Sequence, residues 1–463
     1  MPTPQLDPRD PESRIARLLD DGKFEFLLPR TDCGMVAVSG DIKGNKVVVF
    51  ASDATIKSGA LGVEGSKVIV SAYQVAMEAQ VPIIGIWHSG GARLSDGVAS
   101  LDAFGEVFQS MISASGRIPQ LSLVLGPTAG GGAYGPALTD IVVLSPEGRI
   151  FVTGPDVVKS VTGEDIEMAL LGGPEAHRKN SGLAHIIAPT EQEAIDDVRD
   201  LTALFANHGV MKADVADIDL SVFVPQSKVR TYEVHPLVDA ILDKETEHIE
   251  LLSMWAPNMT TIIGRLGGAT VGVLANNPAH IAGVLDAAAG EKAARFVRTC
   301  DAFGIPLIVI ADVQGFLPGA GQEWEGAVRR GAKLLHAFGE AVVPRVTLIT
   351  RRAYGGAFIA MNSKALGATR VFAWPEAEVS VMGAVAAVRV LHRRILADLP
   401  AEQRESMELE LAAEHEKISG GVTRAVEIGA VDEIIEPSLT RSALAKIIAE
   451  TPHRRGAHGN IPL

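Results

Sequence analysis

A glycine-rich junction constrains the fold of this chain more than any other feature. Residues 129–135 hold three consecutive glycines, and they lie between the apolar runs at 121–126 and 141–144. An apolar strand that leads into glycines and then a helix start leaves backbone N–H groups bare, with no Cβ to keep a ligand away. Such donors can stabilise a carbonyl oxygen that becomes negative during a reaction. The structural alternative is a tight turn where a helix packs closely on a sheet.

The same pattern returns in the second half of the chain. Residues 354–361 repeat the glycines and small residues after an apolar run at 346–350, and a strand-like run at 370–374 follows. The offset from Gly131 to Gly356 is 356 − 131 = 225. A second occurrence in the same context favours a functional site over a chance turn.

Other landmarks repeat in the same register. The offset from Gly44 to Gly268 is 268 − 44 = 224, and the offset from Pro82 to Pro306 is 306 − 82 = 224. Five landmarks in all recur at offsets between 223 and 226. A nearly constant offset between landmarks over a whole half of the chain indicates duplication of one domain. We expect domains at 1–228 and 229–463, with a linker near 223–235.

The order of the predicted elements indicates the class of fold. Strands alternate with helices, such as those predicted at 66–80, 101–115 and 291–303. This alternation favours an α/β fold with a largely parallel sheet. Ligands are then expected at the strand ends.

Composition limits the class of protein. A net charge of −14 argues against a general nucleic-acid binder. Two cysteines exclude a four-cysteine zinc ribbon and a disulfide framework. The N-terminus lacks a basic start and an apolar signal core, and no uninterrupted apolar run has transmembrane length. These features predict a cytoplasmic protein that binds neither nucleic acid nor membrane.

Nearly the whole chain resembles the carboxyltransferase (β) subunits of biotin-dependent acyl-CoA carboxylases, most closely the actinobacterial acetyl-/propionyl-CoA type. The matching segments, in order, are Ser-Gly-Gly-Ala-Arg at 89–93, Ala-Gly-Gly at 129–131, Pro-Ala-Leu-Thr-Asp at 136–140, 152–159, 274–278, 291–296, 326–335, Tyr-Gly-Gly-Ala at 354–357 and Gly-Asn-Ile-Pro-Leu at 459–463. Three positions depart from the family pattern: His88 and Gln314 replace the usual Asp and Pro, and Gly132 replaces Ala.

The resemblance implies two duplicated crotonase-like (ClpP/crotonase) domains. It places CoA on the N-terminal domain and biotin on the C-terminal domain of a partner subunit, in a homo-oligomer that is at least a dimer and in the family usually a hexamer. The expected cofactor is carboxybiotin, supplied by a biotin carboxylase and biotin carboxyl carrier partner, and no metal is expected. The chain contains neither an Ala-Met-Lys-Met biotin attachment sequence nor a phosphate-binding Gly-Lys-Ser/Thr loop, so other proteins must carry the biotin and use ATP.

Carboxyl transfer needs a carbanion beside a thioester carbonyl, whose oxygen takes up negative charge as an enolate. We assign the backbone N–H groups of Gly131 and Gly132 to this oxygen, and those of Gly356 and Ala357 to the ureido carbonyl of biotin. The acyl-CoA and biotin contacts expected around them are Gly91, Ala92, Arg93, Gly130, Tyr134, Gly355 and Ile359. In the family an apolar residue at Ile359 resembles the acetyl-CoA type and an Asp the propionyl-CoA type. The expected reaction therefore converts acetyl-CoA to malonyl-CoA for fatty-acid synthesis.

Alternatives remain at this stage. The chain could be a propionyl-CoA carboxyltransferase, the carboxyltransferase of a biotin-dependent decarboxylase, or a CoA-binding scaffold without chemistry. His88 and Ser89 could form a nucleophilic pair, although a packed junction is the more ordinary interpretation. Further candidates are Arg93, Lys159, Arg329 and Arg330 as CoA phosphate ligands, Arg351 and Arg352 as solvated or interface residues, and residues 453–455 as a mobile basic tail.

Overall fold

The computed structural model describes residues 7–227, 230–419 and 421–462. The chain forms two compact units. The first runs to His208 and includes Ile249–Trp255 and Ala457–Pro462, and the second comprises Gly209–His248 and Ala256–Gly456. The division therefore falls after position 208 rather than after 228, because the segment that begins at Gly209 packs into the second unit. Lys212 N–H, for example, donates to the carbonyl of Gly267 at 2.9 Å.

An eight-stranded mixed sheet organises the first unit. Its strands are β1 (Phe24–Phe26), β2 (Met35–Ile42), β3 (Asn45–Ser52), β4 (Ile83–Ser89), β5 (Gln120–Ala129), β6 (Ile141–Leu144), β7 (Arg149–Phe151) and β8 (Ile186–Ile187). The order is β1-β2-β3-β4-β5-β6-β8, with β7 beside β5. The pairs β1–β2 and β2–β3 are antiparallel, whereas the strands from β3 onward are parallel. The glycine junction follows β5, at the carboxyl edge of the parallel part.

Helices cover this sheet. They are α1 (Pro11–Leu18), α2 (Val63–Ala79), α3 (Val98–Ala114), α4 (Gly131–Leu138), α5 (Pro155–Thr162), α6 (Met168–Gly172), α7 (Pro174–Ala176) and α8 (Glu191–Ala206). Apolar faces of α2 and α3 meet apolar residues of β2 to β6 in one core, which includes Ile69, Phe104 and Val142. Burial of such side chains stabilises the sheet-helix layers by roughly 1.5–3 kcal/mol each.

The second unit repeats this arrangement. Its strands are β10 (Met259–Leu266), β11 (Ala269–Asn276), β12 (Leu307–Val313), β13 (Arg345–Tyr354), β14 (Arg370–Ala373), β15 (Glu378–Ser380) and β16 (Glu433–Ile434), whereas the short β9 (Ile249–Glu250) lies in the segment grouped with the first unit. They follow the order β16-β14-β13-β12-β11-β10, with β15 beside β13. Only β10–β11 is antiparallel among these described pairs.

Helices again flank the sheet. They are α9 (His235–Ile241), α10 (Ala287–Phe303), α11 (Ala320–Trp324), α12 (Ala327–Glu340), α13 (Gly355–Ala360), α14 (Ala384–Leu391), α15 (Arg393–Ala397), α16 (Ala401–Ser419), α17 (Gly421–Glu427) and α18 (Thr440–Glu450). The helices predicted at 66–80, 101–115 and 291–303 are α2, α3 and α10, and each begins about one turn earlier than expected. Cys300 is fully buried on α10.

The two units match in local geometry as well as in element order. In the first unit Lys43 and Gly44 turn the β2–β3 hairpin with φ of 47° and 75°, and in the second Gly267 and Gly268 turn β10–β11 with 56° and 82°. Two successive positive φ angles define the tight hairpin turn that suits the twist of paired strands.

Throughout the described residues of both units, no helix combines the length and apolar character needed to cross a membrane.

Candidate active site

The first glycine junction is a sharp strand-to-helix turn. After β5 ends, Gly130 adopts φ 57° and ψ −130°, a conformation that favours glycine, and α4 begins at Gly131. The N–H of Gly130 donates to the carbonyl of Val152 at 3.1 Å, and the N–H of Ala133 donates to the carbonyl of Gly130 at 3.0 Å. The first N–H groups of a helix have no intrahelical acceptor. The Gly131 and Gly132 donors therefore lie at the open end of α4.

Close packing explains why small residues are needed here. A Cβ on Gly131 would lie 3.1 Å from the Phe104 ring, and one on Gly132 would lie 3.2 Å from Ser89 Oγ. Gly91 has φ 91°, and a Cβ there would lie 3.0 Å from the carbonyl oxygen of Ala129. The loop after β4 and the loop after β5 are thus in contact, so the structure brings Gly91 and the first glycine junction together.

The other predicted residues of this unit have different environments. Tyr134 projects from α4 with 51% of its surface exposed, and its ring lies 6.4 Å from that of Phe108. The Arg93 guanidinium donates to the carbonyls of Cys33 at 2.7 Å and Ala60 at 3.2 Å, so it holds backbone in place. Lys159 lies exposed on α5 in an ion pair with Asp165 at 2.8 Å.

His88 and Ser89 do not form a nucleophilic pair. They are neighbours on β4, whose side chains alternate between faces. Ser89 Oγ accepts the N–H of Gly91 at 3.2 Å, whereas His88 Nδ1 lies 3.4 Å from Arg14 Nη1. Burial and then Arg14 lower the pKa of His88 to about 4, so the imidazole is neutral at pH 7. The packed-junction interpretation is correct.

The second glycine junction has the same form. Gly355 has φ 58°, and a Cβ there would lie 3.0 Å from the carbonyl oxygen of Val381. A Cβ on Gly356 would meet the Phe316 ring at 3.8 Å, an ordinary contact. Ala357 is fully buried, and Ile359 projects from α13 with 45% of its surface exposed. Gly356 therefore borders open space beside the Phe316 ring, and Ile359 is half exposed on the same helix.

Sequence reasoning did not single out Phe316 as a site residue. An isolated bridge pairs Leu285 with Phe316, and in the first unit the equivalent bridge pairs Leu61 with Ala92. The offset from Ala92 to Phe316 is 316 − 92 = 224, the same as in the hairpins. The repeat register could have identified Phe316, since Ala92 was already a candidate.

A buried charge cluster lies next to the second junction. Of the two alternatives predicted for Arg351 and Arg352, solvated or interface residues, it contradicts the solvated one. Both arginines lie on β13 and are 4% and 8% exposed. Arg351 binds one carboxylate oxygen of Asp312 at 2.8 Å, and Arg352 binds the other at 3.2 Å. Arg351 also donates to the carbonyls of Ser227 and Arg230 and lies over the Tyr232 ring. These arginines stabilise the strand ends rather than contact solvent.

Tyr354, the last residue of β13, borders a cavity of about 330 Å³. Its hydroxyl donates to Glu378 on β15. The walls of the cavity include Met382, Val385 and Leu409. The hydrogen bond fixes the backbone immediately before Gly355.

Two further polar side chains, His177 and Arg330, have partners within their own units. His177 bonds to Ser181 Oγ at 2.7 Å and to the carbonyl of Ile150 at 2.9 Å, and burial lowers its pKa. Arg330 forms an ion pair with Glu291 at 3.5 Å, a carboxylate that Lys333 also binds. Within the residues that the structure describes, no group of three or more His, Cys, Asp or Glu side chains is arranged to hold a metal ion.

Residues 453–455 are not a free tail. Arg455 donates to the carbonyl of Ala302 and lies over the Phe303 ring at 5.6 Å, and the N–H of Gly456 donates to Asp301 at 2.8 Å. The prediction of a mobile basic tail is wrong for this part of the chain, because the guanidinium finds both a carbonyl and an aromatic face.

Comparison with known proteins defines the class to which this fold and site belong. The family model for the carboxyl transferase domain matches residues 11–456. The chain is 58% identical, over 99% of its own length and 98% of the relative's, to the beta6 subunit of a biotin-dependent acetyl-/propionyl-coenzyme A carboxylase from Mycobacterium tuberculosis. It is 52% identical, over 99% and 97%, to the propionyl-CoA carboxylase beta chain of Rhodococcus erythropolis.

A solved structure agrees. The transcarboxylase 12S crystal structure, a hexamer assembly with methylmalonyl-coenzyme A bound, superposes with a TM-score of 0.90 at 34% identity, covering 98% of this chain and 92% of that one. The chain therefore belongs to the carboxyl transferase family, and the predicted duplicated crotonase-like fold is confirmed. It is a carboxyltransferase, similar over nearly its whole length to β subunits of biotin-dependent acyl-CoA carboxylases.

Proposed function

We propose that this enzyme transfers a carboxyl group from carboxybiotin to acetyl-CoA as its main substrate, yields malonyl-CoA for fatty-acid synthesis, and uses propionyl-CoA more slowly. The observation that carries the proposal is the pair of glycine junctions, each with helix-start N–H groups at a strand end. Two oxyanion sites suit a reaction in which both the acceptor thioester and the donor ureido group carry a carbonyl oxygen that gains charge.

In the first unit, Gly131 and Gly132 would hold the thioester oxygen of acyl-CoA. Removal of a proton beside the thioester sends negative charge to that oxygen, and each fixed donor contributes about 3 kcal/mol to its stabilisation. Gly91, Ala92 and the exposed Tyr134 would line the path of the acyl-CoA. Gly130 shapes the turn, because its N–H is already committed to Val152.

In the second unit, Gly356 and Ala357 would hold the ureido oxygen of biotin. The site fits such a group, since a Cβ on Gly356 would occupy open space beside the Phe316 ring. Carboxybiotin supplies the carboxyl group and a nitrogen base for the substrate proton. The protein contributes orientation and fixed dipoles, which explains why neither glycine junction carries an evident general base.

Ile359 supports the choice of acetyl-CoA. Its half-exposed apolar side chain lies on α13, two positions after Ala357, and an apolar residue there resembles the acetyl-CoA type. One methylene in a pocket changes binding by only about 1–3 kcal/mol, so propionyl-CoA is disfavoured rather than excluded. Propionyl-CoA remains the second candidate, because the Rhodococcus erythropolis relative is a propionyl-CoA carboxylase beta chain.

The substrate preference is tested by kcat/KM for acetyl-CoA and propionyl-CoA with the complete carboxylase complex. We expect acetyl-CoA to be the better substrate. A preference for propionyl-CoA beyond about tenfold, roughly 1.4 kcal/mol, contradicts the acetyl assignment while it leaves carboxyl transfer standing. Transfer from malonyl-CoA to free biocytin by the purified chain tests the reaction itself without a partner.

We also propose that two copies of the chain complete each site, in an assembly that is at least a dimer and is expected to be a hexamer. The partner in the carboxylase would be a biotin carboxylase with its biotin carboxyl carrier. Light scattering across the concentration range of the transfer assay tests this. A monomer with full transfer activity would contradict the shared site.

A further inference from the structure

The segment Ala457–Pro462 belongs to the first unit. It packs near the C-terminal end of α4, the helix that begins at the first glycine junction. Gly116 has φ 68°, and a Cβ there would lie only 2.0 Å from the carbonyl oxygen of His458. The N–H of Asn460 donates to Ser115 Oγ at 2.9 Å. The backbone of the segment therefore packs closely against Ser115 and Gly116, just after α3.

One side chain of this segment reaches a buried carboxylate. Asn460 is fully buried, and its Nδ2 donates to Asp140 Oδ1 at 2.6 Å. Asp140 is 2% exposed, and its other oxygen accepts the N–H of Gln120 at 2.8 Å. A buried carboxylate is costly unless hydrogen bonds satisfy it, so the Asn460 amide supplies one of the donors that Asp140 needs.

Asp140 fixes the end of the glycine helix. It lies two positions after α4, and its N–H donates to the carbonyl of Gln120 at 2.9 Å, at the start of β5. Thr139, between the end of α4 and Asp140, donates its Oγ1 hydroxyl to the carbonyl of Pro136 at 2.7 Å. An eight-residue helix is about 12 Å long and its turns are joined by backbone hydrogen bonds, so we expect displacement at its C-terminal end to shift the donors at its N-terminal end.

We propose that Asn460 is a positioning residue for carboxyl transfer: through Asp140 it sets the location of the Gly131 and Gly132 N–H groups. The inference rests on the proposed function of the first glycine junction. Displacement of catalytic groups by about 1 Å can cost 10²-fold in rate, so a contact this far from the chemistry can matter.

The test exchanges the two side chains. Asn460→Asp sets two carboxylates against each other, and Asp140→Asn removes the charge. The double variant D140N/N460D restores the pair with reversed polarity, because Asn at 140 can accept from Gln120 and donate to Asp at 460. We expect each single variant to lower kcat for malonyl-CoA:biocytin transfer by roughly tenfold or more with KM changed much less, and the double variant to regain most of the loss.

A further variant displaces the 457–462 segment without altering Asp140 or Asn460, and a matched variant elsewhere serves as its control. Gly116→Ala collides with the His458 carbonyl, whereas Gly44→Ala, at a similar positive φ of 75°, has no atom within 4 Å of the new Cβ. Both carry the backbone strain of a side chain at positive φ. We expect only Gly116→Ala to lower kcat.

Hydrogen exchange of the hydrogen-bonded Ala133 and Thr139 amides, at the two ends of α4, and thermal melting accompany the kinetics. Faster exchange of these amides in N460D, in protein that remains folded at the assay temperature, supports the inference. Unchanged exchange and kcat in N460D, or no recovery in the double variant, overturns it. Absence of transfer by the unmodified protein would instead contradict the proposed function, and the exchange result would still decide the role of Asn460.

Discussion

Asp20 and Asp243 perform the same task in the two units. Asp20 accepts the N–H groups of Lys43 and Gly44 at 3.0 and 2.9 Å, and so caps the β2–β3 turn. Asp243 accepts those of Gly267 and Gly268 at 3.0 and 2.8 Å. Each carboxylate is also paired with an arginine, Arg199 on α8 for Asp20 and Arg441 on α18 for Asp243. The duplication thus extends to individual hydrogen bonds.

The first prediction concerns this cap. Asp243→Ala should lower the free energy of unfolding by about 1–3 kcal/mol, because two backbone N–H groups and Arg441 lose their acceptor. Asp239→Ala is the matched control, since that carboxylate is half exposed and pairs only with His248 among the contacts found in the described residues. Denaturant midpoints of the two variants measure the difference. Equal midpoints would contradict a structural role for the cap.

The second prediction separates the two glycine junctions. Gly356→Val should lower transfer by about 10²-fold or more, because a branched side chain enters the space assigned to biotin, while acyl-CoA binding survives. Gly131→Val should impair acyl-CoA turnover, since its Cβ already meets Phe104 at 3.1 Å. Gly356→Ala is the milder control at 3.8 Å from Phe316. Calorimetric titration with acyl-CoA measures binding, and equal loss of affinity in both Val variants contradicts the division of roles.

The third prediction concerns His88. Burial and then Arg14 and Arg9 lower its pKa to about 4, below its ordinary value of 6.5, while Glu191 opposes them. The neutral form is therefore favoured in the folded state. Its contribution to stability is full above pH 6.5 and is lost as pH falls towards 4. His88→Gln keeps an acceptor for Arg14 and should lose less stability over this window. Midpoints at pH 7 and 5 measure the effect, and parallel pH profiles would refute it.

The fourth prediction concerns Asp197 on α8. Burial, and then Asp200, Glu193 and Asp196, raise its pKa to about 6. The charged carboxylate therefore opposes folding once pH exceeds the unfolded pKa near 3.8, and fully so above 6. Asp197→Asn should stabilise the protein at pH 7 by about 1 kcal/mol, allowing for solvent screening, and by little at pH 4. Thermal melting at the two pH values checks this, and a gain that does not depend on pH would argue against an ionisation effect.

Much of the fold could be predicted because duplication leaves a repeat in the sequence. The offset near 224 is enough to locate the hairpins, the buried strands and both glycine junctions. The repeat offset did not predict the structure at positions where the two units differ. Arg351 occupies the position that Gly126 occupies in the first unit (351 − 225), where His88 packs against the glycine. Local sequence shows two adjacent arginines, which are normally exposed, and only the tertiary position of Asp312 makes their burial favourable.

The two glycine junctions proposed as the site could be recognised from the sequence for the same reason, and their supporting contacts could not. Strand-to-helix glycines can be recognised locally, because a bare N–H and a missing Cβ are properties of a few residues. The contact of Asn460 with Asp140 joins positions far apart in the chain, and nothing in either neighbourhood predicts the partner. The same holds for the end of the chain, where Arg455 finds the carbonyl of Ala302.

The separate anchoring of the two glycine junctions has a consequence for how such an enzyme can diversify. Gly130 is held by Val152 and packed against Gly91, and Gly355 is enclosed by Val381 with Phe316 beside its neighbour, so each junction is supported by its own sheet and loops. A substitution that reshapes one glycine junction leaves the hydrogen bonds of the other junction intact. Under the proposed function, selection can therefore change the fit to one reactant without altering the junction that binds the other.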